Sequence, residues 1–157
     1  MAGLEMKLEP LCEVEAYVTL PIPVGPSSWG MRLIAPVVEG TVKGSKINGT
    51  IQPVGGDFAL IRVDNCLEID VRAVIATDDG AFIYTYYKGI VDMTAKQVQE
   101  FLGGTLPTGL IAYVTPRFET GHENYQWLTR IQAVGRGKFE PAGDRTKVIY
   151  SWYALTV

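Results

Sequence analysis

The 157-residue chain has a single histidine, His122, and two cysteines, Cys12 and Cys66. One histidine cannot build a histidine-rich metal site, and it leaves a Ser–His–acid triad with one candidate base. The cysteines stand far apart and lack metal-ligand spacing, so they read as reduced, buried thiols and no metal centre is expected. Positive charge is in short supply as well. Lys and Arg total 14 against 17 Asp and Glu, a net charge of −3, which is the wrong sign for neutralising phosphates, so no nucleic-acid partner is expected. The densest cationic stretch, Arg136, Lys138, Arg145 and Lys147, is interrupted by Glu140 and Asp144 and reads as a solvated loop. No apolar run has the length of a bilayer-crossing helix. Met1 to Pro10 carries Glu5, Lys7 and Glu9 and lacks a signal-peptide core. The expectation is a cytoplasmic chain without a membrane partner.

What the chain does have is a succession of short stretches rich in β-branched and aromatic residues, punctuated by Gly, Pro, Asn and Asp. Strands are expected at 11–20, 37–43, 49–54, 58–63, 68–77, 81–89, 110–118, 127–135 and 147–157. Asn48–Gly49, Asp64–Asn65 and Asp78–Asp79–Gly80 supply tight turns. Pro21, Pro23 and Pro26 mark a loop that cannot join a central strand. One helix is expected over 94–101, where Thr94 and Gln97 have capping-box spacing and Gly103–Gly104 ends the element. It either plugs a barrel mouth or is a surface turn. The fold class is all-β: one domain over 1–157, an antiparallel, closed or nearly closed barrel with one short helix.

Strand parity sorts the polar residues. Ile69, Val71, Ala73 and Ile75 share one face, with Asp70 and Arg72 on the other. Phe82, Tyr84, Tyr86 and Lys88 lie opposite Ile83, Thr85 and Tyr87. Tyr113, Thr115, Arg117 and Glu119 share a face further on. Either the polar faces are the outside of the barrel, or Arg72, Arg117, Glu119 and several tyrosines point inward and line a ligand cavity. In the second case, arginine would hold an enolate, phenolate or carboxylate, and a nearby carboxyl would move a proton. Gly55–Gly56–Asp57 lacks the following helix and lysine of a phosphate loop, yet Asp57 stands as a candidate acid or base at a barrel mouth. His122–Glu123 lacks the second histidine of a helical zinc motif and reads as part of an exposed hairpin loop.

Gly55–Gly56–Asp57–Phe58, Arg72 and Thr77–Asp78–Asp79–Gly80–Ala81–Phe82–Ile83 resemble the domain-of-unknown-function family 3237, as do Arg117–Phe118–Glu119–Thr120 and Tyr125–Gln126–Trp127–Leu128. The motifs span about 37–155 in the expected order. The resemblance implies a calycin-like (lipocalin-like) β-barrel with a central pocket that commonly self-associates, a homodimer being favoured. It carries over Asp57, Arg72, Asp79, Arg117, Glu119, Tyr125 and Trp127 as the polar signature.

The reading is a cofactor-independent enzyme of isomerase, cyclase or lyase type acting on an oxygenated, partly apolar small molecule. Asp57, Arg72 and Glu119 are the expected catalytic residues; Tyr84, Tyr113, Arg117, Tyr125 and Trp127 are expected to bind substrate. The alternatives are a non-catalytic carrier using the same cavity and a structural barrel with a filled interior.

Overall fold

The computed structural model describes residues 3–157. Eleven strands form one sheet in which every pairing is antiparallel. They are β1 (Lys7–Thr19), β2 (Ile22–Ser27), β3 (Gly30–Lys43), β4 (Asn48–Ile51), β5 (Gly56–Ile61), β6 (Leu67–Thr77), β7 (Phe82–Val91), β8 (Ile111–Val114), β9 (Arg117–Glu119), β10 (Ala133–Ala142) and β11 (Arg145–Thr156). Helix α1 (Ala95–Leu102) joins β7 to β8, and a 3-10 helix, Glu123–Arg130, joins β9 to β10. Eight strands close into a ring in the order β1, β3, β5, β6, β7, β8, β10, β11. Closure leaves none of these eight strands at a free edge over its paired length; β2 and β9, outside the ring, each pair on one side only. The fold expectation is met: this is an antiparallel β-barrel with one short α-helix.

Alternation explains the barrel wall. Ile69, Val71, Ala73 and Ile75 on β6, Ile83, Thr85 and Tyr87 on β7, and Val148, Tyr150, Trp152 and Ala154 on β11 are buried, while their neighbours face outward. Each large aliphatic side chain withdrawn from water contributes about 1.5–3 kcal/mol. The inward positions of β10 include Gly135 and Gly137. A Cβ on Gly137 would lie 2.5 Å from the Tyr150 ring, and one on Gly135 would collide with the Trp152 ring. The glycines therefore let two large rings lie flat against the opposite strand. Around them, Tyr87 meets Tyr150 edge-on at 5.6 Å and Trp152 at 5.5 Å, and Phe118 meets Trp152 at 5.8 Å. Such edge-to-face contacts add to simple burial.

The two ends of the barrel are closed differently. At one, the 3-10 helix inserts Tyr125 and Leu128 into the core. The Tyr125 hydroxyl donates to Asp79 Oδ1 at 2.7 Å, Thr77 Oγ1 donates to the same oxygen at 2.6 Å, and Thr120 Oγ1 donates to the Phe82 carbonyl at 2.7 Å. At the other end lies α1, which buries none of its residues fully. Its capping box forms as expected: Gln97 N–H donates to Thr94 Oγ1 and Thr94 N–H to Gln97 Oε1.

Four local expectations are corrected. The proline-rich segment after Leu20 is strand β2 rather than a loop, although it pairs with β3 alone, as an edge strand carrying Pro23 and Pro26 must. Residues 127–130 are helical rather than extended, because Tyr125 and Leu128 recur at the three-residue period of a 3-10 turn. The expected strand over 110–118 is divided by Thr115–Pro116 into β8 and β9. Arg136, Lys138, Arg145 and Lys147 lie on the β10–β11 hairpin, where Lys138 pairs with Glu140, Arg145 with Glu39 and Lys147 with Glu15.

Candidate functional site

The β3–β5–β6–β7 registers align Ala35, Asp57, Val71 and Tyr87 as successive partners across four strands. All four side chains line one interior cavity of about 80 Å³. The rest of its wall is mainly apolar, with Ala16, Leu33 and Val148 among the lining residues and Tyr150 facing Tyr87. Asp57 is the only charged side chain in that lining. Toward α1, the cavity meets an outer vestibule of about 510 Å³, and Pro21, Leu33, Phe101, Leu106 and Thr146 line both.

The position of Asp57 follows from the residues before it. Gly55 has φ +85° and lies so close to the Arg72 carbonyl that a Cβ there would collide with it. This lets β5 start tightly against β6. The β5–β6 ladder pairs Gly56 with Arg72 and Asp57 with Val71, then resumes at Leu60 and Glu68. Within the gap, the Asp70 N–H donates to Asp57 Oδ1 at 3.0 Å, and Arg32 Nη1 donates to the Phe58 carbonyl at 2.9 Å. Side chains thus replace the ladder bonds that the opening removes.

Burial pushes the Asp57 carboxyl up to about 6, against the pull of the Asp70 N–H in the other direction; the Asp70 charge adds to the rise. Burial also drives the Tyr87 and Tyr150 hydroxyls above their ordinary range, with Asp57 reinforcing both. The site therefore combines a carboxyl that changes charge near neutral pH with two phenols that stay protonated. It offers one proton acceptor and, because Tyr87 and Tyr150 also hydrogen-bond to each other, one free O–H donor of the pair in apolar surroundings. Among the described residues, no group of three or more His, Cys, Asp or Glu side chains is arranged to hold a metal ion.

Of the residues expected at the site, the structure brings Asp57 alone to the cavity. Arg72 is exposed on the outer wall, with its guanidinium 5.9 Å from the Phe58 ring centre. Arg117 and Glu119 are exposed on β9, and Tyr84 is half-buried and stacked on Tyr86 at 5.2 Å. These residues do gather, since Arg72, Tyr86 and Arg117 are register partners, as are Val74, Tyr84 and Glu119. They gather outside the barrel. The inward expectation for Arg72, Arg117, Glu119 and Tyr84 is corrected because their parity is opposite to that of Val71, Tyr87 and Phe118. Tyr113 lines an open groove of about 630 Å³ on the outer wall with Lys88 and Ile90. Tyr125 anchors the 3-10 helix, and Trp127 sits beneath the Lys46 ammonium at 5.3 Å, both at the end away from α1. Tyr87 and Tyr150 were missed as site residues. Their signal was parity, since each alternates with buried residues: Ile83 and Thr85 for Tyr87, Val148 and Trp152 for Tyr150.

The architecture recurs in other proteins. A UPF0311 protein from Rhodopseudomonas palustris (strain TIE-1) is 40% identical over 108 residues, covering 68% of this chain and 71% of the relative. The crystal structure of a beta-barrel like protein from Acinetobacter baumannii shares 30% identity at a TM-score of 0.76, covering 99% of each chain. A protein from Penicillium herquei described as an enzyme shares the fold, with 19% identity, a TM-score of 0.68 and 98% of each chain covered. The family description "Protein of unknown function (DUF3237)" matches residues 6–155. The chain belongs to the DUF3237 family.

Proposed function

We propose that the barrel binds a small organic molecule in the cavity beside Asp57 and catalyses a cofactor-independent proton transfer there. The observation that carries this reading is a lone carboxyl, held near half-ionisation at about pH 6, in a cavity whose lining contains no cation. A base with such a pKa is partly free to act near neutrality and releases the proton again readily. The Tyr87–Tyr150 pair takes the role first expected of Arg72: the free hydroxyl of the pair donates to an oxygen on which negative charge develops.

The chemistry suits a substrate with a C–H bond next to a carbonyl. Asp57 takes the proton, the C–H electron pair becomes the new C=C bond, and the carbonyl pair moves onto oxygen, which a tyrosine O–H stabilises. Where a neighbouring C=C or an α-hydroxyl extends the enolate to a dienolate or enediol, return of the proton to a different carbon gives an isomerase. Expulsion of a β-substituent, which leaves with the proton from Asp57, gives a lyase. The fold shared with a protein described as an enzyme accords with this reading.

The test follows α-proton exchange of cyclohexanone in D₂O by NMR. The wild-type protein is expected to accelerate exchange with a pH midpoint of about 6. Asp57→Asn is expected to lower the rate by about 10²-fold. Equal rates for the two proteins would remove catalysis and leave a binding barrel.

A further inference from the structure

The ligand path consists of two unequal chambers in series. The inner chamber of about 80 Å³ holds Asp57, Tyr87 and Tyr150; the vestibule of about 510 Å³ lies outside it under α1. At 10–15 Å³ for each water-sized occupant, the inner chamber takes roughly six non-hydrogen atoms. That is the size of one ring or a short head group. Anything larger must extend past Phe101 and Leu106 into the vestibule.

Charge narrows the class further. The one cation lining either chamber is Arg145, in the vestibule, and its guanidinium already pairs with Glu39 at 3.4 Å. An anionic head group in the inner chamber would lose its hydration beside a second negative charge with no cation to offset either. A neutral hydroxyl or carbonyl meets the opposite situation. A hydroxyl donates to Asp57, and either group accepts from Tyr87 or Tyr150. This reverses the expectation that an inward arginine would select a carboxylate.

We infer that the natural ligand is a neutral amphiphile: a compact head of roughly six non-hydrogen atoms bearing a hydroxyl or carbonyl, placed against Asp57, Tyr87 and Tyr150, with an apolar extension in the vestibule. The inference rests on the cavity being the ligand site, as proposed above. Asp57 is then the residue that rejects anions, in addition to its part in proton transfer.

The test uses two probes with the same ring and tail, 4-pentylcyclohexanol and 4-pentylcyclohexanecarboxylate, titrated calorimetrically at pH 8. The alcohol is expected to bind wild-type protein at least tenfold more tightly than the carboxylate. Asp57→Asn should tighten carboxylate binding tenfold or more and erase the preference for the alcohol. Lowering the pH from 8 to 6, where the probe stays ionised, should also tighten carboxylate binding to the wild type and not to Asp57→Asn, because Asp57 takes up a proton. Val71→Phe and Ala35→Leu, each checked for folding by circular dichroism, fill the inner chamber and should abolish binding of both probes. If the filled variants lose both probes but the wild type prefers neither, or Asp57→Asn leaves the preference unchanged, the neutral-ligand inference falls and the cavity survives. If the wild type binds neither probe, or a folded, filled variant retains both, the cavity reading falls and the inference with it.

Discussion

Asp57 carries a charge that the fold holds at a disadvantage. Its folded-state value of about 6 lies above the ordinary 3.8, so the folded chain keeps its proton more tightly than the unfolded one. Below pH 3.8 both states are protonated and nothing is lost. Stability falls as pH rises from about 3.8 to about 6, and above that the penalty is constant at about 3 kcal/mol. Asp57→Asn retains an oxygen for the Asp70 N–H and removes the charge. It is expected to stabilise the protein by about 1–3 kcal/mol at pH 8 and to change little at pH 4, as measured by urea unfolding at both values. The Asp70 amide serves as a reporter of the same event. Hydrogen-bonded to Asp57 Oδ1, its NMR resonance should move with a midpoint of about 6, and a flat titration would contradict both the contact and the burial of the carboxyl.

At the scale of elements, α1 and the 3-10 helix close opposite ends of the barrel by different means. The 3-10 helix is fastened by side-chain hydrogen bonds and buried anchors. Helix α1 leans on half-buried Val98 and Phe101, and glycines at positive φ follow it at Gly104 (+94°) and Gly109 (+77°). Its main local support is the capping box. Thr94→Ala is therefore expected to cost about 1 kcal/mol, confined to the helix. Hydrogen exchange should quicken at the α1 amides and stay unchanged along the β1–β11 ladder; uniform quickening would mean that the helix is integral to the barrel. The helix was legible in the sequence because its signals are local: a cap, an apolar face and a glycine stop. The 3-10 helix was not. Tyr125, Trp127 and Leu128 look equally like the start of a strand, and the bonds from Asp79 and Phe82 that hold the turn come from residues about forty positions away.

At the scale of the whole molecule, the sequence disclosed the barrel but not which side of each strand faces in. Turns such as Asp78–Asp79–Gly80 and the alternation along β6 are short-range properties. On β7 both faces are apolar enough to be inside: Phe82, Tyr84 and Tyr86 on one, Ile83, Thr85 and Tyr87 on the other. Ring closure decides between them, because β7 must present the same side to the core as β6 and β8, and that set Arg72, Tyr84, Arg117 and Glu119 outside. Asp57 could be picked out because its glycine entry and its place in the family's polar signature were visible without knowing the parity. The final seam of the ring, β1 against β11, joins Lys7 to Thr156. A chain with these ends linked by a short flexible peptide and opened between Asp64 and Asn65, at an exposed turn, is expected to fold to the same barrel with a melting temperature within a few degrees of the original. Failure to fold would show that the β5–β6 turn is needed to start the ring.

That seam also orients the molecule. Glu9, Pro10 and Ala154 border a recess shared with Trp127 of the 3-10 helix, so both described termini emerge beside the sealed end, and the vestibule opens at the other. A tether or fused domain attached at either terminus would act as a stand beneath the barrel, leaving the mouth turned outward and clear for solutes to come and go.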